Sequence, residues 1–199
     1  MTIEKPKRRR RGKYKGVEQK STVENGLDNF SDIGELGEEM RSWVENASGT
    51  GLENTERFQL AAETADTLES KHQDIEYQVG EVITKTRQLA PSLLEEEIMT
   101  VLQVPRSKRQ SPSRAVRISN AIAFITVAAE HLETRLDEVR TLINNGEENK
   151  FFPDLDEDGF NPGMKEQVLD DIQEIEADLG EIKDAASEAE GVDFPGMYG

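Results

Sequence analysis

Ile118, Ile122, Ile125, Ala129, Leu132, Leu136, Val139 and Ile143 follow one another at alternating steps of four and three residues. That spacing lays apolar side chains along one side of a helix of about 30 residues. Two further segments repeat it: Phe58, Ala61, Ala65, Leu68, His72, Ile75, Val79, Val82, Thr86 and Leu89, then Val168, Ile172, Ile175, Leu179, Ile182, Ala186 and Ala189. No alternating strand pattern of useful length competes with them. The seams predict an all-α fold: an elongated antiparallel three-helix, coiled-coil-like bundle with a short extra helix and irregular N- and C-terminal arms. Parallel self-association through the same seams is the competing arrangement. Ala121, Phe124, Ala128 and Leu142 widen the central apolar face and favour closure within one chain, with helix 118–143 in the middle.

Only 35% of the 199 residues are hydrophobic and 6% aromatic, which suits a thin heptad core better than a globular α/β core. Local signals set the boundaries. Residues 1–26 lack apolar periodicity and read as a basic, disordered arm. Residues 27–51 hold a short amphipathic element, whose roughly helical apolar spacing is interrupted by Gly34 and Gly37, with a helix over about residues 35–46, and a linker. The bundle spans 52–190, its first long helix starting near Asn54 or Thr55 and running to about Ala90. Ser92 and Glu95 have capping-box spacing, which predicts a short helix ending near Val104. Ser111-Pro112 and Asn161-Pro162 are cap-plus-proline helix starts. Residues 191–199 form a docking tail through Phe194, Met197 and Tyr198. Trp43, the only tryptophan, either covers the bundle or docks on a partner, with packing on its own bundle favoured.

Net charge is −17, yet residues 1–20 carry nine Lys or Arg against two acids, a balance of +7. Residues 105–117 add five basic residues and no acid. The candidate binding residues for nucleic acid or an acidic partner are therefore Lys7, Arg8, Arg9, Arg10, Arg11, Lys13 and Lys15, with Arg106, Lys108, Arg109, Arg114 and Arg117. Four consecutive arginines repel one another and bury nothing in a free chain, so they are explained by phosphates or by an acidic protein surface. The same string would serve as a nuclear address in a eukaryote. For Arg106 to Arg117 the competing role is a salt-bridge set with the acidic helix 162–190.

Other chemistry is thin. Cysteine is absent, which removes disulfides, thiolate metal sites and cysteine nucleophiles. Glu69 and His72 have the Glu-x-x-His spacing of carboxylate di-metal bundles, but no second copy exists, and His72 reads as a polar seam residue fixing register. Asp154, Asp156, Asp158 and Gly159 start like a calcium loop, but Lys165 stands where a bidentate glutamate belongs, so a solvated acidic turn is expected. No phosphate loop or nucleophile arrangement is present. The expectation is no enzyme, no cofactor and no metal. The basic start has no apolar stretch behind it to make a secretory signal, and no run is long enough to span a bilayer. An intracellular protein, cytoplasmic or within a virion, is expected.

The leading functional expectation is a non-enzymatic helical structural or assembly protein of a larger complex, such as a virion or nucleoprotein particle. Its arms dock on other proteins of the assembly, and residues 5–15 can reach nucleic acid; a homo-oligomer is compatible. The alternatives are a nucleic-acid-associated regulator binding phosphates through the basic arm, and an acidic decoy or chaperone for a basic partner.

Overall fold

The computed structural model describes residues 14–107, 109–152 and 162–195. The chain is mostly helical, with one small two-stranded antiparallel sheet. In order it runs β1 (Tyr14–Thr22), α1 (Val23–Leu27), α2 (Phe30–Ala47), α3 (Glu56–Leu89), α4 (Ser92–Glu95), β2 (Glu97–Pro105), α5 (Arg114–Asn144), a single 3-10 turn (Glu148–Lys150) and α6 (Pro162–Glu190). Thr55 caps α3 by accepting from the Phe58 N–H, and Ser113 caps α5 by accepting from the Val116 N–H. The α5 cap thus falls at Ser113, two residues beyond the expected Ser111.

The heptad seams are the core. All eight residues of the α5 seam are buried, as are Ala61, Ala65, Leu68, Ile75, Val79, Val82 and Thr86 of α3 and Ile172 to Ala189 of the α6 seam. The apolar face that would drive self-association is therefore used inside the chain. Ion pairs fix the helix directions. Lys71 meets Glu188 while Lys85 meets Asp178 and Glu174, so α3 and α6 run antiparallel. Lys183 meets Glu133 and Arg140 meets Glu176, so α5 and α6 are antiparallel too.

The expectation of three packing helices counts α2 only as a short element covering the bundle, whereas it spans Phe30–Ala47. This helix packs antiparallel on both α3 and α5, so that α2 and α6 each bridge the same two helices. It runs straight through Gly34 and Gly37, which act as points of close approach rather than interruptions. A Cβ at Gly34 would lie 2.7 Å from His72 Cδ2, and one at Gly37 would lie 3.2 Å from Glu69 Cγ. His72, although on the α3 seam, is only half-buried; its ring lies 5.5 Å from that of Phe30. Its role is to fill the space that Gly34 leaves open.

Two further expectations are corrected by the sheet. The segment after Ser92 is helical for one turn only, and residues 97–105 form a strand instead of a helix ending near Val104. Glu96 breaks the helix with extended dihedrals, and its carbonyl accepts from the Val23 N–H at 3.0 Å, which opens the ladder. From there Ile98, Thr100 and Leu102 point inward and are buried, while Glu97, Met99, Val101 and Gln103 are exposed. β-branched residues at 98, 100, 101 and 104 fit this pleat better than a helix. Likewise 14–26 is not a disordered arm: β1 pairs with β2 in unbroken register from Tyr14 opposite Pro105 to Thr22 opposite Glu97. Residues 1–13 lie outside the described residues.

Candidate functional site at the end of the ribbon

Tyr14 and Lys15, the described end of the first basic segment, meet the start of the second, some 90 residues on in sequence, because of the ribbon. Pairing of Tyr14 with Pro105 places the start of β1 beside the start of the loop that carries Arg106 and Arg109. The Tyr14 hydroxyl accepts from the Ser113 N–H at 3.3 Å, which ties the same point to the start of α5. The other edge of β2 is held by Asn120, whose side chain accepts from the Gln103 N–H at 2.8 Å and donates to the Gln103 carbonyl at 2.9 Å. An amide on a helix here satisfies both backbone groups as a neighbouring strand would. Lys15, Arg106 and Arg109 are exposed around this junction.

Arg114 and Arg117 belong elsewhere. Arg114 Nε donates to Glu39 at 3.1 Å, and Arg117 pairs with both Glu39 and Glu35. The acidic partner is thus α2, not the expected helix 162–190. Burial works to raise the Glu39 carboxyl, but hydrogen bonds and charge from Arg117 and Arg114 outweigh it and hold the group below the ordinary glutamate range. These two arginines fasten α5 to α2, leaving Lys15, Arg106 and Arg109 as the outward-facing members of the predicted set. Lys7, Arg8, Arg9, Arg10, Arg11, Lys13 and Lys108 lie outside the described residues, although residue 13 is bonded directly to Tyr14 at the junction.

The same end of the fold receives the C-terminal segment. The Thr64 hydroxyl donates to the Asp193 carbonyl at 3.0 Å, and Phe194 packs with Trp43 and Val44 on Met40, Ala61 and Ala65. The Trp43 and Phe58 rings are 6.4 Å apart. Trp43 therefore covers its own helices, and Phe194, expected to dock on a neighbour, docks on its own chain. Met197 and Tyr198 lie outside the described residues, as do Asp154, Asp156, Asp158 and Gly159.

Reading the sequence alone misses Tyr14, Asn120 and Glu39 as the residues that build this end. Glu35 and Glu39, four apart on a helix that also presents Ile33, Leu36 and Met40, were the available signal for an arginine-binding face. Glu69 is engaged by Arg41 in a two-bond pair at 3.0 and 2.7 Å. His131 meets Glu96 at 2.8 Å, and the same carboxylate takes Arg135 at 3.0 Å. Among the described residues no group of three or more His, Asp or Glu is placed to hold a metal ion, and no helix is long and apolar enough to cross a membrane. Comparison of the chain with protein-family models, curated proteins and solved structures gave no match.

Proposed function

We propose that this protein is a non-enzymatic structural or assembly component in which a coiled-coil-like helical bundle serves as a spacer and one basic end anchors it to the phosphates of a nucleic acid. The observation that supports the reading is the pairing of Tyr14 with Pro105, which sets the described start of one basic segment beside the start of the other. Exposed Lys15, Arg106 and Arg109, together with the arginine run covalently attached at residue 13, supply charges that neutralise phosphates and release counterions. The remaining chain is strongly acidic and repels the same polymer, so contact is confined to that end.

The test is binding of a short labelled DNA duplex, followed by anisotropy across a salt series. The log of affinity should fall steeply with log salt, and deleting residues 1–13 should flatten the slope by several units. Replacing Arg106 and Arg109 together by alanine should flatten it by about 1 to 2 units. Affinity and slope unchanged by both variants would refute the reading.

A further inference from the structure

The outer edge of β1 is exposed over most of its length. Among the described residues β1 has a single strand neighbour, β2. Residues 15–20 are exposed, including Val17 at 37%. The strand carries no proline, and its register with β2 has no bulge. Edges are ordinarily blunted, because their free N–H and C=O groups recruit another strand; here the charges of Lys15, Glu18 and Lys20 are the device present, and they admit only a strand of complementary charge.

Which backbone groups are free follows from two hydrogen bonds. Asn120 takes both backbone groups of Gln103, so Gln103 faces away from β1; the Val23 N–H bonds to Glu96, so Val23 faces toward β2. Antiparallel ladders alternate. Lys15, Val17, Gln19 and Ser21 therefore bond to β2, and Gly16, Glu18 and Lys20 direct their N–H and C=O outward, while the carbonyl of Thr22 is taken by the first turn of α1.

We infer that this edge pairs antiparallel with β1 of a second copy, extending the ribbon to a four-stranded sheet. Symmetry restricts the register. In an antiparallel pair of identical strands, residues that face each other must point to the same side of the sheet, so their numbers sum to an even value. A sum of 36 sets Glu18 against Glu18, and a sum of 40 sets Lys20 against Lys20. A sum of 34 sets Glu18 against Gly16 and forms no ion pair. A sum of 38 sets each Glu18 against Lys20 of the other copy, where Lys20, 64% exposed, also holds Glu97 of its own chain, and sets Gln19 against itself, with the outward groups of Glu18 and Lys20 matched. The charges of β1 thus favour one self-complementary register, and this selects a second copy over an unrelated strand.

The bulk of the protein permits it. In the joined sheet the two β2 strands are three strand spacings apart, roughly 14 Å. That exceeds the 8–10 Å at which helices pack, so the two α5 helices fit side by side beneath it. The two Tyr14 residues lie ten positions apart along the pair, roughly 33 Å. Antiparallel pairing therefore separates the basic segments, whose mutual repulsion would otherwise oppose association.

Sedimentation of the full-length chain over a concentration series should show a dimer. Glu18→Lys, at an exposed site, should weaken self-association by about tenfold, and Glu18→Lys with Lys20→Glu and Glu97→Lys should restore it, since that swap rebuilds both intermolecular pairs and also the Lys20–Glu97 ion pair, 3.0 Å, within each chain. The chain has no cysteine, so Gln19→Cys reports register without background. It faces its own counterpart at a non-hydrogen-bonded position, where a disulfide can close on oxidation, whereas Val17→Cys faces Ser21 and should not cross-link. Far-UV ellipticity matching the parent establishes that each variant is folded. A monomer at all concentrations, a dimer indifferent to Glu18→Lys, or cross-linking at 17 in place of 19 would overturn the proposal.

Discussion

Gly26, with Gly34, sits at one of the two closest glycine approaches among the described residues, and Gly26→Ala should unsettle the joint between α1, α5 and β2. A Cβ built there lies 2.7 Å from the Ala128 Cβ, 2.8 Å from Ile98 Cδ1 and 3.4 Å from the Phe124 carbonyl oxygen. Ile98 ends in a rotatable methyl, but the Ala128 Cβ is fixed to the α5 backbone. Relief requires α1 to move away from α5 by about 1 Å, and overpacking of this sort costs about 1–3 kcal/mol. The helical preference of alanine over glycine offsets at most about 1 kcal/mol of that, and less in a helix of five residues. The expected net loss is about 1–2 kcal/mol, read as a lower urea midpoint by far-UV ellipticity with the slope unchanged. Ala128→Gly alone should cost about 2 kcal/mol, from a lost buried methyl and helix propensity. The double variant should be no less stable than Ala128→Gly, because the new methyl occupies the space the old one leaves. That corresponds to a coupling of about 1–2 kcal/mol. A neutral or stabilising Gly26→Ala, or strict additivity in the cycle, would refute the close approach of α1 to α5.

Phe194→Ala should loosen the packing over Met40, Ala61 and Ala65, and because Trp43 is the only tryptophan, a red shift of intrinsic fluorescence reads it directly. For Glu39, whose folded-state pKa is depressed, the stabilisation is present above the unfolded glutamate range and is lost as pH falls through the folded value. Urea midpoints measured at steps from about pH 6 to about pH 3 should fall less steeply for Glu39→Gln than for the parent. Glu96→Ala leaves His131 and Arg135 without their shared carboxylate and should cost about 1–2 kcal/mol in thermal or urea unfolding.

The long helices were legible because periodicity is a property of the chain itself, and the residues that set it are the ones that end up buried. Thr55 and Pro162 mark helix starts in both sequence and structure. The ribbon was not legible, for two different reasons. β2 does alternate in burial, but its outward positions are Met99 and Val101, so apolar residues stand on both faces and the period of two disappears. β1 is exposed on nearly all of its length, so it has no buried face to impose a pattern. Its pairing is held by backbone groups, which every residue carries. The basic residues were identifiable by charge alone; which of them stay available was not. Arg114 and Arg117 turn to α2 while Arg106 and Arg109 do not, and that division depends on where Glu35 and Glu39 arrive in three dimensions.

The pairing of β1 with β2 also orders the assembly of the chain in time. The partners are separated by 75 residues at Thr22 and Glu97 and by 91 at Tyr14 and Pro105, with α2 and α3 lying wholly between them. Closing so long a loop gains nothing until those two helices have folded back on each other and delivered β2 to β1. The ribbon should therefore form after α2 and α3 have docked, and amide exchange should find it less protected than the α5 seam. A chain in which those two helices have not docked cannot bring Tyr14 to Pro105, so the basic end is completed only after them.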